Sequence, residues 1–146
     1  IIFKIICKTA NIEAKLNIYI YRDVEFIARQ QIKELSEIPE GTDSFIFYDT
    51  GLIITKIWFE EVFNKVPTFL SEAIKQVKVD MCLLCYPDIK WVPDKVRINK
   101  GQKRFDLFTK YERELNRYKI NYKIIKGTGD TRFQYAENFI SSAYCL

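Results

Sequence analysis

The stretch Ser44-Phe-Ile-Phe-Tyr-Asp49-Thr50 joins an apolar run to an acid that follows it directly. The four residues from Phe45 to Tyr48 predict a strand buried on both faces, as in a parallel sheet. Asp49 then falls at the carboxyl end of that strand, where open α/β sheets bind their ligands. The stretch therefore predicts an α/β domain with a candidate site at Asp49.

A basic segment, residues 91–104, precedes a long helical pattern. Within residues 88–104, six Lys and Arg side chains stand against two Asp, so this stretch alone carries +4, the net charge of the whole chain. Such local charge favours a local anionic ligand. A metal-holding acid and a basic loop are two parts of a phosphoryl-transfer site. The third, a phosphate loop Gly-x-x-x-x-Gly-Lys-Ser/Thr, is absent from the 146 residues.

The length of the chain and its apolar content of 48% predict one domain over residues 1–146. Strands are predicted at 1–7, 44–49, 78–86 and 121–126, and helices at 22–37, 52–63, 68–77 and 102–119. Residues 9–17 predict a weak helix or a loop, and Asp130 or Thr131 is expected to cap a final helix. Lys56 and Glu60 mark a polar stripe on the helix at 52–63. Strands that alternate with helices indicate an α/β fold with a parallel sheet.

The composition excludes several chemistries. There is no histidine, so Ser-His-Asp, Cys-His and His-metal sites are excluded. Cys82 and Cys85 lie in an apolar strand, where positions i and i+3 point to opposite faces, so buried free thiols are expected. Free thiols predict a reducing, cytoplasmic setting. No apolar run is long enough to span a bilayer, so a membrane partner is not expected.

Four stretches, taken in order, resemble the NadR-like AAA-type P-loop family, which includes ribosylnicotinamide kinases. They are residues 23–31, 45–58, 83–94 with a continuation through Arg97 and Arg104, and 127–132. The resemblance implies a P-loop NTPase-like three-layer fold. It also implies a domain that binds ATP and Mg²⁺ and transfers phosphate to a small nucleoside-like acceptor.

The resemblance assigns roles to residues around the phosphates. Asp49 would hold Mg²⁺, and Thr50 would be its hydroxyl neighbour. Arg97 and Arg104 would close over the transferred phosphate, because a planar guanidinium binds phosphate at two points. Without the resemblance, Asp49 reads as an acid that caps the next helix, and the arginines read as a solvated basic loop.

Other residues would contact the nucleoside. The resemblance places Gly127, Thr128 and Gly129 near adenine, although glycine also suits a tight turn and a helix cap. Trp91 could stack on a base or anchor its loop.

The departures from the family concern its first unit. By spacing, residues 1–7 would be the strand that follows the family's first strand and phosphate loop, and Gly51 replaces the second acid of an Asp-Thr-Asp motif. The chain thus reads as lacking that unit at its N-terminus. Because the first strand lies in the middle of the sheet in P-loop kinases, we expect an unfilled central slot. Another copy of the chain could fill it, giving a homo-oligomer.

Two functional hypotheses follow, and they leave open whether the chain is an enzyme. The first is a small-molecule kinase domain that has little or no activity without its phosphate loop. The alternative is a non-catalytic module that binds a nucleotide or another anion. Nucleic-acid binding is not favoured, because the charge is local and no stacking platform is evident.

Overall fold

A computed structural model describes residues 2–8, 20–38, 44–92 and 101–144. Strands and helices alternate along most of the chain, as predicted, and the predicted element at 9–17 lies outside the described residues. No helix in the described ranges is long and apolar enough to cross a membrane. In chain order the elements are β1 (Ile2–Lys8), α1 (Tyr21–Ser36), β2 (Ser44–Tyr48), α2 (Leu52–Phe63), α3 (Thr68–Gln76), β3 (Met81–Cys85), α4 (Gln102–Arg117), β4 (Tyr122–Ile125) and α5 (Gly129–Tyr144).

The sheet is parallel and has the order β2-β1-β3-β4. In β1, Ile5 lies opposite Phe47 of β2 on one side and Met81 of β3 on the other. The predicted unfilled central slot is therefore wrong for the described sheet. A gap would leave two rows of backbone groups without hydrogen-bond partners, and β1 supplies those partners.

The main core packs α1, α2, α3 and α4 against one face of the sheet. Cys82 and Leu84 of β3 belong to this core, whereas Met81 and Leu83 belong to a smaller cluster with Ile125. Because neighbouring residues of a strand point to opposite faces, the two clusters lie on opposite faces of β3. Partly buried side chains of α5 pack on the smaller cluster, namely Ala136, Phe139, Ile140 and Tyr144.

The predicted burial is confirmed for β3 but not for the edge strands. The side chain of Phe47 in β2 is 55% exposed, so the prediction that this strand is buried on both faces is wrong. The reason is that β2 lies at the edge of the sheet, with Tyr144 of α5 reaching Phe45 but leaving Phe47 open. In β4 only Ile125 is fully buried, because β4 forms the other edge.

Helix α2 begins and ends as predicted, but its predicted polar stripe is wrong. Lys56 is only 3% exposed. It forms ion pairs with Glu60 and with Glu114 of α4, whose Oε2 lies 2.8 Å from Lys56 Nζ. Helix α4 packs against this side of α2 and brings in a carboxylate that is itself buried. Lys56 and Glu60 therefore belong to an ion-pair network that is buried at Lys56 and Glu114.

The structure describes the side chains of two cysteines, Cys82 and Cys85, for which the sequence predicted buried thiols. Cys82 is buried, Cys85 is half-buried, and neither forms a disulfide bond. The prediction of thiols outside disulfide bonds is confirmed at these two positions, and the prediction of full burial is confirmed at Cys82.

Candidate functional site

The candidate site lies where three strands end. Because the strands are parallel, the carboxyl ends of β2, β3 and β4 lie along one edge of the sheet. Ligands of open α/β sheets bind at this edge. The residues that follow the strands are Asp49, Thr50 and Gly51 after β2, Tyr86, Pro87 and Asp88 after β3, and Lys126, Gly127 and Thr128 after β4.

Asp49 directly follows β2 and is exposed. The N-cap of the next helix, α2, is Gly51, and no side chain caps it. Within the described ranges the Asp49 carboxylate has neither a hydrogen-bond nor an ion-pair partner. It is therefore accessible to a ligand, and its half-buried neighbour Thr50 separates it from the helix.

A set of hydrogen bonds, the Asp88–Arg132 clasp, joins the ends of β3 and β4. Asp88 Oδ2 accepts from the Gly127 N–H at 2.7 Å, and Asp88 Oδ1 accepts from Arg132 Nη1 at 2.7 Å. The same guanidinium donates to the carbonyls of Gly127 at 2.9 Å and Tyr86 at 3.0 Å. The Arg132 side chain is only 11% exposed, so the clasp is a packed part of the fold.

The clasp keeps Asp88 ionised. Burial by itself raises the pKa of the Asp88 carboxyl. The hydrogen bond from Gly127 and the charge of Arg132 outweigh burial, so the pKa of Asp88 is held below its ordinary value. The ionised carboxylate of Asp88 therefore holds the turn after β4 in place through its bonds to Gly127 and Arg132.

That turn requires glycine at two positions. Gly127 has φ 97° and Gly129 has φ 53°, a region that side-chain-bearing residues rarely adopt. Helix α5 begins at Gly129, so Asp130 and Thr131, predicted as caps, lie in its first turn. Thr128 is exposed between the two glycines, and the turn faces solvent at the candidate edge.

Arg104 holds the loop that follows β3. Its Nη1 donates to the carbonyl oxygen of Ile89 at 2.8 Å, which ties the start of α4 to that loop. Trp91 is half-buried, and its Nε1 is a buried donor with no hydrogen-bond partner in the described part of the chain. Arg97 lies outside the described residues. The described part of the site thus shows Arg104 in contact with its own loop.

The donor set fits a metal ion that arrives with a phosphate ligand. The described residues contain no group of three His, Cys, Asp or Glu side chains that could hold a metal. In phosphate sites Mg²⁺ keeps several waters and is held through one or two carboxylates together with phosphate oxygens. A single accessible carboxylate such as Asp49 meets that requirement, and would hold Mg²⁺ only alongside a nucleotide.

The sequence interpretation gave no role to Asp88 and Arg132. A signal for Asp88 was present, because it follows β3 much as Asp49 follows β2. Nothing local marks Arg132, which lies 44 residues further along the chain and meets Asp88 only in the folded sheet.

The parallel sheet, with its candidate site at the carboxyl edge, defines an α/β domain consistent with the P-loop NTPase-like fold. An AAA domain family matches residues 7–132, and the chain belongs to that family. Such domains generally bind ATP with Mg²⁺, so membership indicates nucleotide binding. No curated protein matches the chain.

Proposed function

We propose that this AAA domain is the nucleotide-binding part of a small-molecule kinase, which transfers phosphate from ATP to a nucleoside-like acceptor. The observation that carries the proposal is the position of Asp49, a carboxylate directly after a strand of a parallel sheet with no partner among the described residues. The resemblance of residues 45–58 and 83–94 to ribosylnicotinamide kinases supports the choice of acceptor class. Cys82 and Cys85 are not in disulfide bonds, which favours a cytoplasmic setting.

Phosphoryl transfer depends mainly on positioning and on neutralising charge. Asp49 would hold the Mg²⁺ that accompanies ATP, with Thr50 beside it. Arg97 and Arg104 would neutralise the transferred group. In this role Arg104 would exchange its bond to the Ile89 carbonyl for one to phosphate, a stronger acceptor because it is charged.

The turn after β4 would serve the nucleoside end of ATP. Gly127 and Gly129 leave no side chain between the backbone and a ligand, and Thr128 is exposed between them. The Asp88–Arg132 clasp holds this turn against the end of β3. Trp91 would contribute an aromatic face on the neighbouring loop.

The 146 residues contain no phosphate loop, so this chain alone is expected to bind ATP weakly and to have little or no kinase activity. The test is calorimetry with ATP·Mg²⁺ on two proteins: the chain itself, and the chain extended at its N-terminus by a family-type strand and phosphate loop. We expect tight binding by the extended protein only.

Variants of the extended protein test the role of Asp49. Asp49→Asn should weaken ATP·Mg²⁺ binding by roughly tenfold or more while leaving Mg²⁺-free ATP binding unchanged, because only the metal-linked form uses the carboxylate. Glu72→Gln, an exposed site on α3, removes the same charge and should bind as the parent does. Equal binding by the Asp49→Asn protein would reject the proposed role.

A non-catalytic binding module is the second candidate. It is favoured by the bond from Arg104 to the Ile89 carbonyl, which gives this arginine a structural task within its own loop. If the chain is such a module, the unextended chain should bind ATP or another anion about as tightly as the extended protein does. Phosphate transfer by the extended protein would decide for the kinase.

A further inference from the structure

The outer edge of β4 presents backbone groups in a regular pattern. Cys82 N donates to Asn121 O, and Tyr86 N donates to Ile125 O, both at 2.8 Å. Because successive residues of a strand turn their backbone groups to alternate sides, the N–H and C=O of Tyr122 and Ile124 point away from β3. Within the described ranges no protein group pairs with them.

This edge borders an open groove with a volume of about 700 Å³. One wall is β4 and the residues that follow it, and the other is the first two turns of α5. The lining residues are Tyr122, Lys123, Ile124, Lys126, Gly127, Thr131 and Tyr135. The groove thus combines unpaired backbone groups with aromatic and hydroxyl side chains.

The charge of the groove is positive. The ammonium groups of Lys123 and Lys126 lie over aromatic rings, at 4.9 Å from the ring centres of Phe139 and Tyr86 respectively. Among the described residues that line the groove there is no carboxylate, and nearby Glu112 accepts a hydrogen bond from the hydroxyl of Tyr122. Because both lysines keep an unneutralised charge in the described structure, the groove selects for an anionic occupant.

The same charge argues against a second copy of this edge as the occupant. Two β4 strands paired edge to edge would bring lysines of the two copies together, and like charges directly opposite each other destabilise a sheet. An acidic strand would instead satisfy the backbone groups and the lysines at once.

We propose that the groove beside β4 binds an extended acidic peptide segment, which adds to the sheet as a fifth strand. Main-chain hydrogen bonds to Tyr122 and Ile124 fix the alignment of the added strand along β4 and contribute to the affinity for the peptide, as in other cases of strand addition. Glu or Asp side chains on the two faces of the added strand pair with Lys123 and Lys126. The groove does not include Asp49, and it borders the proposed nucleotide site at Gly127, in the turn after β4.

The test uses the chain as it stands and a fluorescein-labelled eight-residue peptide, Val-Val-Glu-Glu repeated twice, whose Glu side chains lie on both faces of an extended strand. Fluorescence anisotropy should show binding that weakens as salt is raised. The same peptide with Gln in place of Glu should bind more weakly by roughly tenfold. A labelled oligothymidylate of equal charge should bind more weakly than the acidic peptide.

A charge-reversal pair of variants locates the site. Lys123→Glu with Lys126→Glu should weaken peptide binding by roughly a hundredfold. Lys75→Glu with Lys78→Glu makes the same change in net charge at exposed positions outside the groove. This control should weaken peptide binding by about threefold at most. Circular dichroism must show that both double variants are folded.

Amide hydrogen exchange gives a readout that depends on strand addition itself. On peptide binding, the amides of Tyr122 and Ile124 should become protected, whereas those of Lys123 and Ile125, which already face β3, should change little. Uniform protection, unchanged binding by the Lys123→Glu/Lys126→Glu protein, or tighter binding of the oligothymidylate would each overturn the proposal.

Discussion

At the residue scale, Lys56 shows how a single buried charge depends on its partners. Its side chain is 4% exposed, and that of Glu114 is 2% exposed. Burial lowers the pKa of Lys56, but the bonds to Glu114 and Glu60 outweigh burial and raise it above its ordinary value. Both members of the pair are therefore charged at neutral pH, and each needs the other.

Removing this cation should be costly. In Lys56→Met the buried Glu114 carboxylate loses its close partner, which typically costs about 3–5 kcal/mol of unfolding free energy. Lys110→Met is the control, because Lys110 is more exposed and its partner Glu61 also pairs with Lys103. The control should lose less than about 1 kcal/mol in urea unfolding. Equal losses for the two variants would show that Glu114 is solvated or protonated.

The Asp88–Arg132 clasp should make stability depend on acid pH. The folded pKa of Asp88 lies below the ordinary value of 3.8, so the unfolded chain takes up the proton more readily. The contribution of the clasp is therefore complete above pH 3.8 and is lost as the pH falls through the lower folded pKa. Asp88→Asn should cost about 1–3 kcal/mol at pH 7.

The difference in unfolding free energy between the parent chain and Asp88→Asn should shrink below pH 3.8. Denaturant titrations across the acid range measure this difference. Arg132→Met should remove the same part of the acid dependence, because it takes away the charge that favours ionised Asp88. A difference that stays constant down to the lowest pH would mean that the clasp does not form in solution.

At the element scale, α4 ends in a Schellman motif. The Ile120 N–H donates to the Leu115 carbonyl at 2.9 Å, and the Lys119 N–H donates to the Asn116 carbonyl at 3.1 Å. Lys119 adopts φ 56°, the left-handed conformation in which glycine is usual. The sequence places a residue with a Cβ where the backbone carries a conformational penalty.

Replacing that residue with glycine should stabilise the protein. Lys119→Gly should raise the unfolding free energy by about 0.5–1 kcal/mol, because the left-handed penalty disappears. Gly101→Ala at the other end of α4 should do the opposite, since Gly101 has φ 58°. Thermal unfolding measures both changes. A loss of stability in Lys119→Gly would show that the lysine side chain makes a contact worth more than the backbone penalty.

The elements themselves were predictable where their signals are local. Helix α2 was bounded correctly at Leu52 and Phe63, because an apolar periodic run meets its end there. The prediction that Lys56 lies on a polar stripe was wrong, because its i, i+4 spacing to Glu60 is also the pattern of a solvent-exposed ion pair. The third partner, Glu114, belongs to another helix, and no pattern within α2 can reveal it.

At the scale of the whole molecule, the sequence indicated an α/β parallel sheet but not its strand order. Alternating strands and helices imply parallel pairing, because each crossover returns the chain to the same edge. Which strand pairs with which is a contact between distant residues, so the position of β1 between β2 and β3 had no local signal. The expected gap came from the family resemblance. The prediction of Asp49 as a candidate site residue rests on a local signal, an acid that follows an apolar run.

Among the side chains that the structure describes, the two faces of the sheet are covered unevenly. Four helices pack on one face, while α5 packs over a cluster with three fully buried described residues, Met81, Leu83 and Ile125. Helix α5 has no fully buried residue, and Phe133 on it is 68% exposed. By contrast α4, also 16 residues long, buries five side chains, including Leu107 and Leu115. The two helices therefore make a matched pair for testing local stability.

Helix α5 should open locally far more often than α4 does. Because local opening needs less energy where few apolar contacts are broken, amides in α5 should exchange with solvent roughly a hundredfold faster than those in α4. Hydrogen exchange followed by mass spectrometry measures both helices in one sample. Phe139→Ala should speed exchange in α5 and leave α4 unchanged, because Phe139 packs on the small cluster. Equal protection of the two helices would mean that a partner covers the exposed face of α5 in solution.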